Sequence, residues 1–252
     1  EPFLHSHRDA IDAALGLAPK VVLLVGSARA ARTLRHPWTA GERVEMIRAG
    51  LSPASNARVD IRLVADHLYN TTLWQRELQE ALAALAAAPA RVLQIGQVGG
   101  VPLLPGFHYA GVMQRPALDF LALRGAALGD DPEALADLAP SATLACLRQW
   151  RREDWFAMLQ REYRYIDEFR KSWAVAPYPP TLVTTDALVL HEGHALLIER
   201  AREPGKGLWA LPGGFVEENE TLLVSCLREL LEETGLDLRA RSDLIGRPLM
   251  RT

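Results

Sequence analysis

The stretch LPGGFVEENETLLVSCLRELLEETGL, residues 211–236, decides how the second half of this chain is read. It opens on a Gly-Gly turn and runs into a segment in which Glu229, Glu232 and Glu233 sit within five residues of one another. At about 100° per residue on a helix, the three acids fall within an arc of roughly 100°. Leu223, Leu227, Leu230 and Leu231 gather on the opposite side, so the pattern predicts a helix with an acidic face and a buried leucine face. Carboxylates that close repel one another, and a positive partner is expected among them. Hard divalent cations such as Mg²⁺ favour carboxylate oxygens, keep several waters and bridge to substrate phosphates. Such an ion would neutralise a diphosphate and lower the pKa of a bound water. Gly213 and Gly214 allow the backbone to approach metal or phosphate because no side chain intervenes. Arg228 is placed to pair with a neighbouring acid. The plain alternative is a solvated amphipathic helix with acids outside and leucines inside.

The whole chain sets the frame. Its 252 residues favour two domains, and 49% hydrophobic with 23% charged residues describes an ordinary globular protein. A formal charge of −3 offers no concentrated basic surface for a nucleic acid. A small nucleotide is therefore favoured over a polymer. Cys146 and Cys226 lie far apart among apolar residues, as buried thiols of a reducing compartment do. No apolar run reaches the roughly 18 residues of a membrane span, and no signal pattern opens the chain, so the expected location is cytoplasmic, with no membrane partner. Oligomeric state is not legible.

Along the first half, AIDAALGLA (helix), KVVLLVGSA (strand), TAGERVEMIRAGL (helix capped at Thr39), VDIRLVAD (strand), LWQRELQEALAALAAA (helix) and RVLQIGQ (strand) alternate. That order predicts an α/β fold with a parallel, doubly wound sheet binding ligands at the carboxyl ends of its strands. No strand precedes the first helix, where such a fold usually has one, so preceding sequence is expected. Residues 131–173 read as mainly helical, with WFAMLQREYRYIDEFRKSW as one long segment. Proline at 177, 179 and 180 then breaks the pattern. The predicted domains are 1–175 and 176–252. TLVTTDALVLHEGHALLIERA reads as two strands joined at Glu192-Gly193, which makes His191-Glu192-Gly193-His194 a hairpin turn with the wrong spacing for a zinc-protease helix. His5 and His7 lack a third metal ligand nearby, and Arg148, Arg151 and Arg152 read as a solvated helix face.

Gly214, five residues, Glu220, seven residues, then Arg228-Glu229-Leu230-Leu231-Glu232-Glu233-Thr234-Gly235-Leu236 fills every fixed position of a pattern that resembles the Nudix box. That box marks hydrolases cleaving nucleoside diphosphates linked to another moiety. The resemblance implies an α/β/α Nudix domain with Glu229, Glu232 and Glu233 in metal-binding and base roles, Gly213 at the metal, Arg228 orienting, and Gly214 and supporting Glu220 on the substrate side. It implies Mg²⁺, with Mn²⁺ as an alternative. Only residues 237–252 follow the box, whereas a Nudix sheet generally has more strands after its helix, so substrate choice is not legible here.

EYRYIDEFRKSW, APYPPTLVTTDALVL, PGKGLWALPGGF and GSARAARTLRHPWTAGERVEMI extend the resemblance over nearly the whole chain. They resemble the bifunctional family that joins a nicotinamide-mononucleotide adenylyltransferase, of nucleotidyltransferase-like Rossmann fold, to a Nudix ADP-ribose pyrophosphatase. The partners so implied are ADP-ribose, nicotinamide mononucleotide and ATP. In EPFLHSH only His7 keeps its place in the family's His-x-Gly-His phosphate motif; Leu4 and Ser6 replace the first histidine and the glycine. Ser141-Ala142-Thr143-Leu144-Ala145-Cys146 keeps Ser141 and Thr143 of a second phosphate motif but has cysteine for its arginine. Arg35 matches a triphosphate-contacting arginine. Trp74 matches the residue that stacks on nicotinamide, and equally reads as core tryptophan. GQVGGVPLLPG also departs from the family. Each lost electrostatic group typically costs about 10²-fold or more, so adenylyl transfer is expected to be weak or absent. The alternatives are a fully bifunctional enzyme and an ADP-ribose sensor that does not hydrolyse, against which the intact acids argue.

Overall fold

The structure, a computed structural model, describes residues 2–67, 70–82, 91–96, 108–114, 119–131, 133–178 and 180–246. The chain divides into two compact units, Glu1–Tyr163 and Arg164–Thr252. The division falls inside a helix, earlier than the proline-rich segment where composition alone puts a boundary. Residues 97–106 of the GQVGGVPLLPG segment and the end of the expected alanine-rich helix lie outside the described residues.

In the first unit, β1 (Val21–Val25) and β2 (Val59–Leu63) pair in parallel, with Val21 opposite Val59 and Val25 opposite Leu63. β3 (Arg91–Gly96) and β4 (His108–Gln114) form a second parallel pair. The parallel strands follow the expected α/β alternation. β4 is an element the sequence pattern did not announce: HYAGVMQ carries a central glycine and opens on a histidine, which blurs the strand signature.

The helices of this unit are α1 (His5–Leu17), α2 (Ala40–Gly50), α3 (Pro53–Asn56), α4 (Thr71–Leu82), α5 (Phe120–Leu128), α6 (Ser141–Trp150) and the first part of α7 (Asp154–Ser172). α2 begins where a capping box allows it to. The Thr39 hydroxyl accepts the Glu42 amide at 3.3 Å, and Glu42 accepts the Thr39 amide at 2.8 Å. Arg32 adds a fork onto the same carboxylate, at 2.7 and 3.0 Å, and the fork and the capping bonds lower the Glu42 pKa despite its burial. α1 is stopped by Arg58, whose guanidinium donates to the Leu15, Ala18 and Pro19 carbonyls. The core gathers Leu4, Ile11, Met46, Leu128, Leu147, Phe156 and Leu159 around β1 and β2. A smaller cluster of Val64, Leu78 and Leu82 takes in Trp74 at its edge.

Thr143 is fully buried and its hydroxyl donates to the Phe3 carbonyl at 2.9 Å. Thr143→Val keeps the shape and leaves that carbonyl unpaired, so it should lower stability by about 1–3 kcal/mol, measured by urea unfolding.

In the second unit the two long strand runs break into four short strands. β5 (Thr184–Asp186) pairs antiparallel with β10 (Gly213–Phe215), β6 (Leu190–His191) with β7 (His194–Ala195), and β8 (Ile198–Glu199) with β9 (Trp209–Ala210). Each run serves two partners, which is why neither stays continuous. The Glu192-Gly193 turn is the expected one: both residues have positive φ, 47° and 78°, as a two-residue hairpin needs. α8 (Leu222–Thr234) packs on β5 and β10. Among the described residues no helix is long and apolar enough to cross a membrane.

Candidate active site

α8 is bounded by its own sequence. The Thr221 hydroxyl accepts the Val224 amide at 3.3 Å, and Gly235 closes the helix in the left-handed region at φ 74°, its amide on the Leu231 carbonyl at 2.8 Å. Leu230 is 2% exposed and Leu227 and Leu231 are half-buried, but Leu223 is 48% exposed. The buried face is thus shorter than the periodicity implies, with Leu222, Leu223 and Val224 of the first turn all exposed.

The positive charge expected among the acids is Arg228. Its Nε and Nη2 fork onto Glu220 at 2.8 and 3.0 Å, Nη1 donates to Glu229 at 2.7 Å and to Glu232 at 3.4 Å, and Nη2 also reaches the Phe215 carbonyl at 3.1 Å. Planar guanidinium geometry makes this a rigid clamp. Glu233 turns the other way and accepts the Gly213 amide at 2.9 Å. Gly213 and Gly214 lie on β10 opposite Asp186 and Thr185. A Cβ at Gly214 would lie 2.5 Å from Glu229 Cδ and 2.7 Å from Oε2, so glycine is what lets that carboxylate lie against the strand. Glu232 is 58% exposed and is the least constrained acid of the stripe.

The Arg228 fork holds the Glu220 carboxyl down at about 2, helped by the Glu217 amide, and the pairing raises Arg228 in turn. Because the folded value is depressed, this stability is present above pH 4.5 and is lost as pH falls from about 4.5 to about 2. Glu220→Gln should flatten the acid side of a melting-temperature profile over that window. An unchanged profile would show that the fork does not carry the acid sensitivity.

Two residues of this site carry no sequence signal: Ser225, fully buried on α8, and Thr185 on β5, whose hydroxyl donates to Ser225 at 3.1 Å. Neither is titratable, and only the packing of helix on strand brings them together.

In the first unit, His7 Nδ1 accepts the Leu4 amide at 3.0 Å and its ring stacks on Phe3, centroids 5.9 Å apart. His7 and Thr143 therefore converge on the same N-terminal stretch, while Cys146 is buried in the core. Ser141 is exposed at the start of α6 and Arg35 is exposed in the loop after β1. Trp74 packs against the cluster of Val64, Leu78 and Leu82. At the carboxyl ends of β1 and β2, Ser27, with φ 52°, donates its amide to Asp66 at 3.3 Å and its hydroxyl to the same carboxylate. Arg43 donates to the Ser27 carbonyl at 3.1 Å. Asp66 ends a predicted strand and could have been flagged on the rule that ligands collect there.

The fold and the site define a two-domain chain, a nucleotidyltransferase-like unit followed by a Nudix unit. The NUDIX domain family matches residues 180–250 and the cytidylyltransferase-like family residues 1–87. A bifunctional NMN adenylyltransferase/ADP ribose pyrophosphatase from Francisella tularensis, solved with AMP and a Mn ion, superposes with a TM-score of 0.77 at 30% identity, over 92% of this chain and 70% of that one. An ADP-ribose pyrophosphatase of Methanocaldococcus jannaschii is 45% identical over 64 residues, 25% of this chain and 37% of that protein. The nicotinamide/nicotinic acid mononucleotide adenylyltransferase of Acinetobacter baylyi is 24% identical over 173 residues, 66% of this chain and 90% of that protein. The chain spans well under half the length of the curated pyrophosphatase it matches. It belongs to the bifunctional nicotinamide-mononucleotide adenylyltransferase/Nudix family.

Proposed function

We propose that the second unit is a divalent-metal-dependent hydrolase cleaving the diphosphate of ADP-ribose to AMP and ribose 5-phosphate, attached to an adenylyltransferase-like unit with altered phosphate motifs. The observation that carries this is the Arg228 clamp: one guanidinium holds Glu220, Glu229 and Glu232 beside the Gly213-Gly214 strand. A merely solvated helix has no need of such a fork.

The donors fit a hard cation, being carboxylate oxygens with no sulfur or imidazole among them. Among the described residues no three His, Cys, Asp or Glu side chains close on one point. Mg²⁺ or Mn²⁺ keeps waters and takes the rest of its oxygens from substrate phosphates. Glu229, Glu232 and Glu233 would hold it, and when bound it supplies charge neutralisation and a more acidic water. Glu232, 58% exposed and tied to Arg228 by the longest of the clamp's contacts to the acids, 3.4 Å, is the carboxylate of the stripe that would also take a proton from the attacking water. Arg228 keeps Glu229 in place, and the Gly213 amide keeps Glu233 in place.

In the first unit, the Thr143 hydroxyl and His7 Nδ1 are spent on backbone groups, and Cys146 stands in the core where an arginine would be needed. This supports weak or absent adenylyl transfer. Incubation of the chain with ADP-ribose and Mg²⁺ or Mn²⁺ should release AMP, while nicotinamide mononucleotide and ATP should give no NAD at an enzymic rate. No AMP with either metal would overturn the hydrolase reading, and rapid NAD formation would restore the fully bifunctional one.

A further inference from the structure

We propose that Thr185 and Ser225 form a buried hydroxyl relay that fixes the Arg228 guanidinium, making both of them positioning residues of the diphosphate-cleaving site. The inference deepens the hydrolase reading above and rests on it.

Ser225 lies in the interior of α8 with no exposed surface. It precedes Arg228, Glu229 and Glu232 by three, four and seven positions, which puts it on the same stripe as the acids and not on the leucine face. Alanine would fill that space with better helix propensity. A serine inside a helix commonly turns its hydroxyl back to its own preceding turn. Here the oxygen instead accepts the Thr185 hydroxyl at 3.1 Å and faces Arg228 Nη2 at 3.5 Å. Ser225 is also among the groups that hold the Glu220 carboxyl down, after the Arg228 fork. The oxygen thus meets the threonine on one side and the guanidinium on the other, so that rotation of the clamp would break a part-buried contact.

Thr185 supplies the other end. It stands opposite Gly214 in the β5–β10 register, and Gly214 is the residue against which Glu229 lies. One strand pair therefore sets both the acid, through Gly214, and the guanidinium that holds it, through Thr185 and Ser225. A tie between helix and strand alone would need no particular partner for the serine oxygen. The relay reading requires that its loss be felt at Arg228.

The test follows the Arg228 Nε–H resonance in ¹⁵N spectra of the full chain alongside steady-state AMP release from ADP-ribose. Thr185→Val and Ser225→Ala are each expected to broaden or shift that resonance and to lower kcat about tenfold, with KM held within about twofold because substrate contacts are untouched. Thr185→Ser should restore both. The double variant should be no worse than either single one, since both cut the same relay. An unmoved Arg228 resonance in both single variants overturns the proposal, as do losses that simply add in the double variant. If the wild-type chain releases no AMP, the hydrolase reading fails on that result, and the Arg228 resonance alone decides the relay.

Discussion

Glu232→Gln should leave the chain folded and cut AMP release from ADP-ribose by about 10²- to 10⁴-fold, the range for losing a proton-transfer group. The structure explains why the effect should be clean. Glu232 is 58% exposed and its carboxylate has one long contact, 3.4 Å to Arg228. Glutamine matches it in shape, and Arg228 keeps its fork on Glu220 and its bond to Glu229. Product chromatography with a thermal melt checks both halves of the expectation. Activity within about threefold of wild type, at an unchanged melting temperature, would move the base elsewhere on the stripe. The same variant separates hydrolysis from the alternatives, because sensing of ADP-ribose and adenylyl transfer should both survive it.

Gly214→Ala should fold and lose activity by about 10²-fold, as a displacement of about 1 Å at a reacting centre does. Gly213→Ala should instead fail at the level of folding. The two neighbours differ in what a methyl group would meet. At Gly214 the three atoms nearest to it all belong to the Glu229 carboxylate, the far end of a flexible side chain that can swing away and leave the backbone intact. At Gly213 it meets the Thr185 carbonyl, with Asp186 Oδ1 at 2.5 Å and Asp186 Cα at 2.8 Å, so the β10–β5 pairing must give way. Circular dichroism, melting temperature and AMP release on the pair distinguish a displaced acid from a broken sheet. Equal melting temperatures for the two variants would refute the distinction.

The acidic stripe was legible because helical periodicity is local: three glutamates on one face depend only on residues within a few turns of one another. The Glu192-Gly193 hairpin and the Thr39 cap were legible for the same reason. The first unit was read less completely. Trp74 matched a ligand-stacking position equally well as a core one, and its packing on Val64, Leu78 and Leu82 places it at the edge of an apolar cluster. Ser27, Asp66 and Arg43 escaped notice because they come from three separate segments, united only where β1 and β2 end.

By itself, then, the chain's order of residues determined the alternation of helices and strands, the acidic face of α8 and the presence of a cation among its carboxylates. These follow from period, spacing and charge, which act over short stretches of backbone. Only the tertiary structure decided which groups that cation holds, which glycine lies under Glu229, and that Thr185 meets Ser225. Those contacts run from Arg228–Glu220, eight residues apart, to Thr185–Ser225, 40 residues apart, and a hydrogen bond's dependence on distance and direction leaves their geometry open until β5, β10 and α8 are packed together.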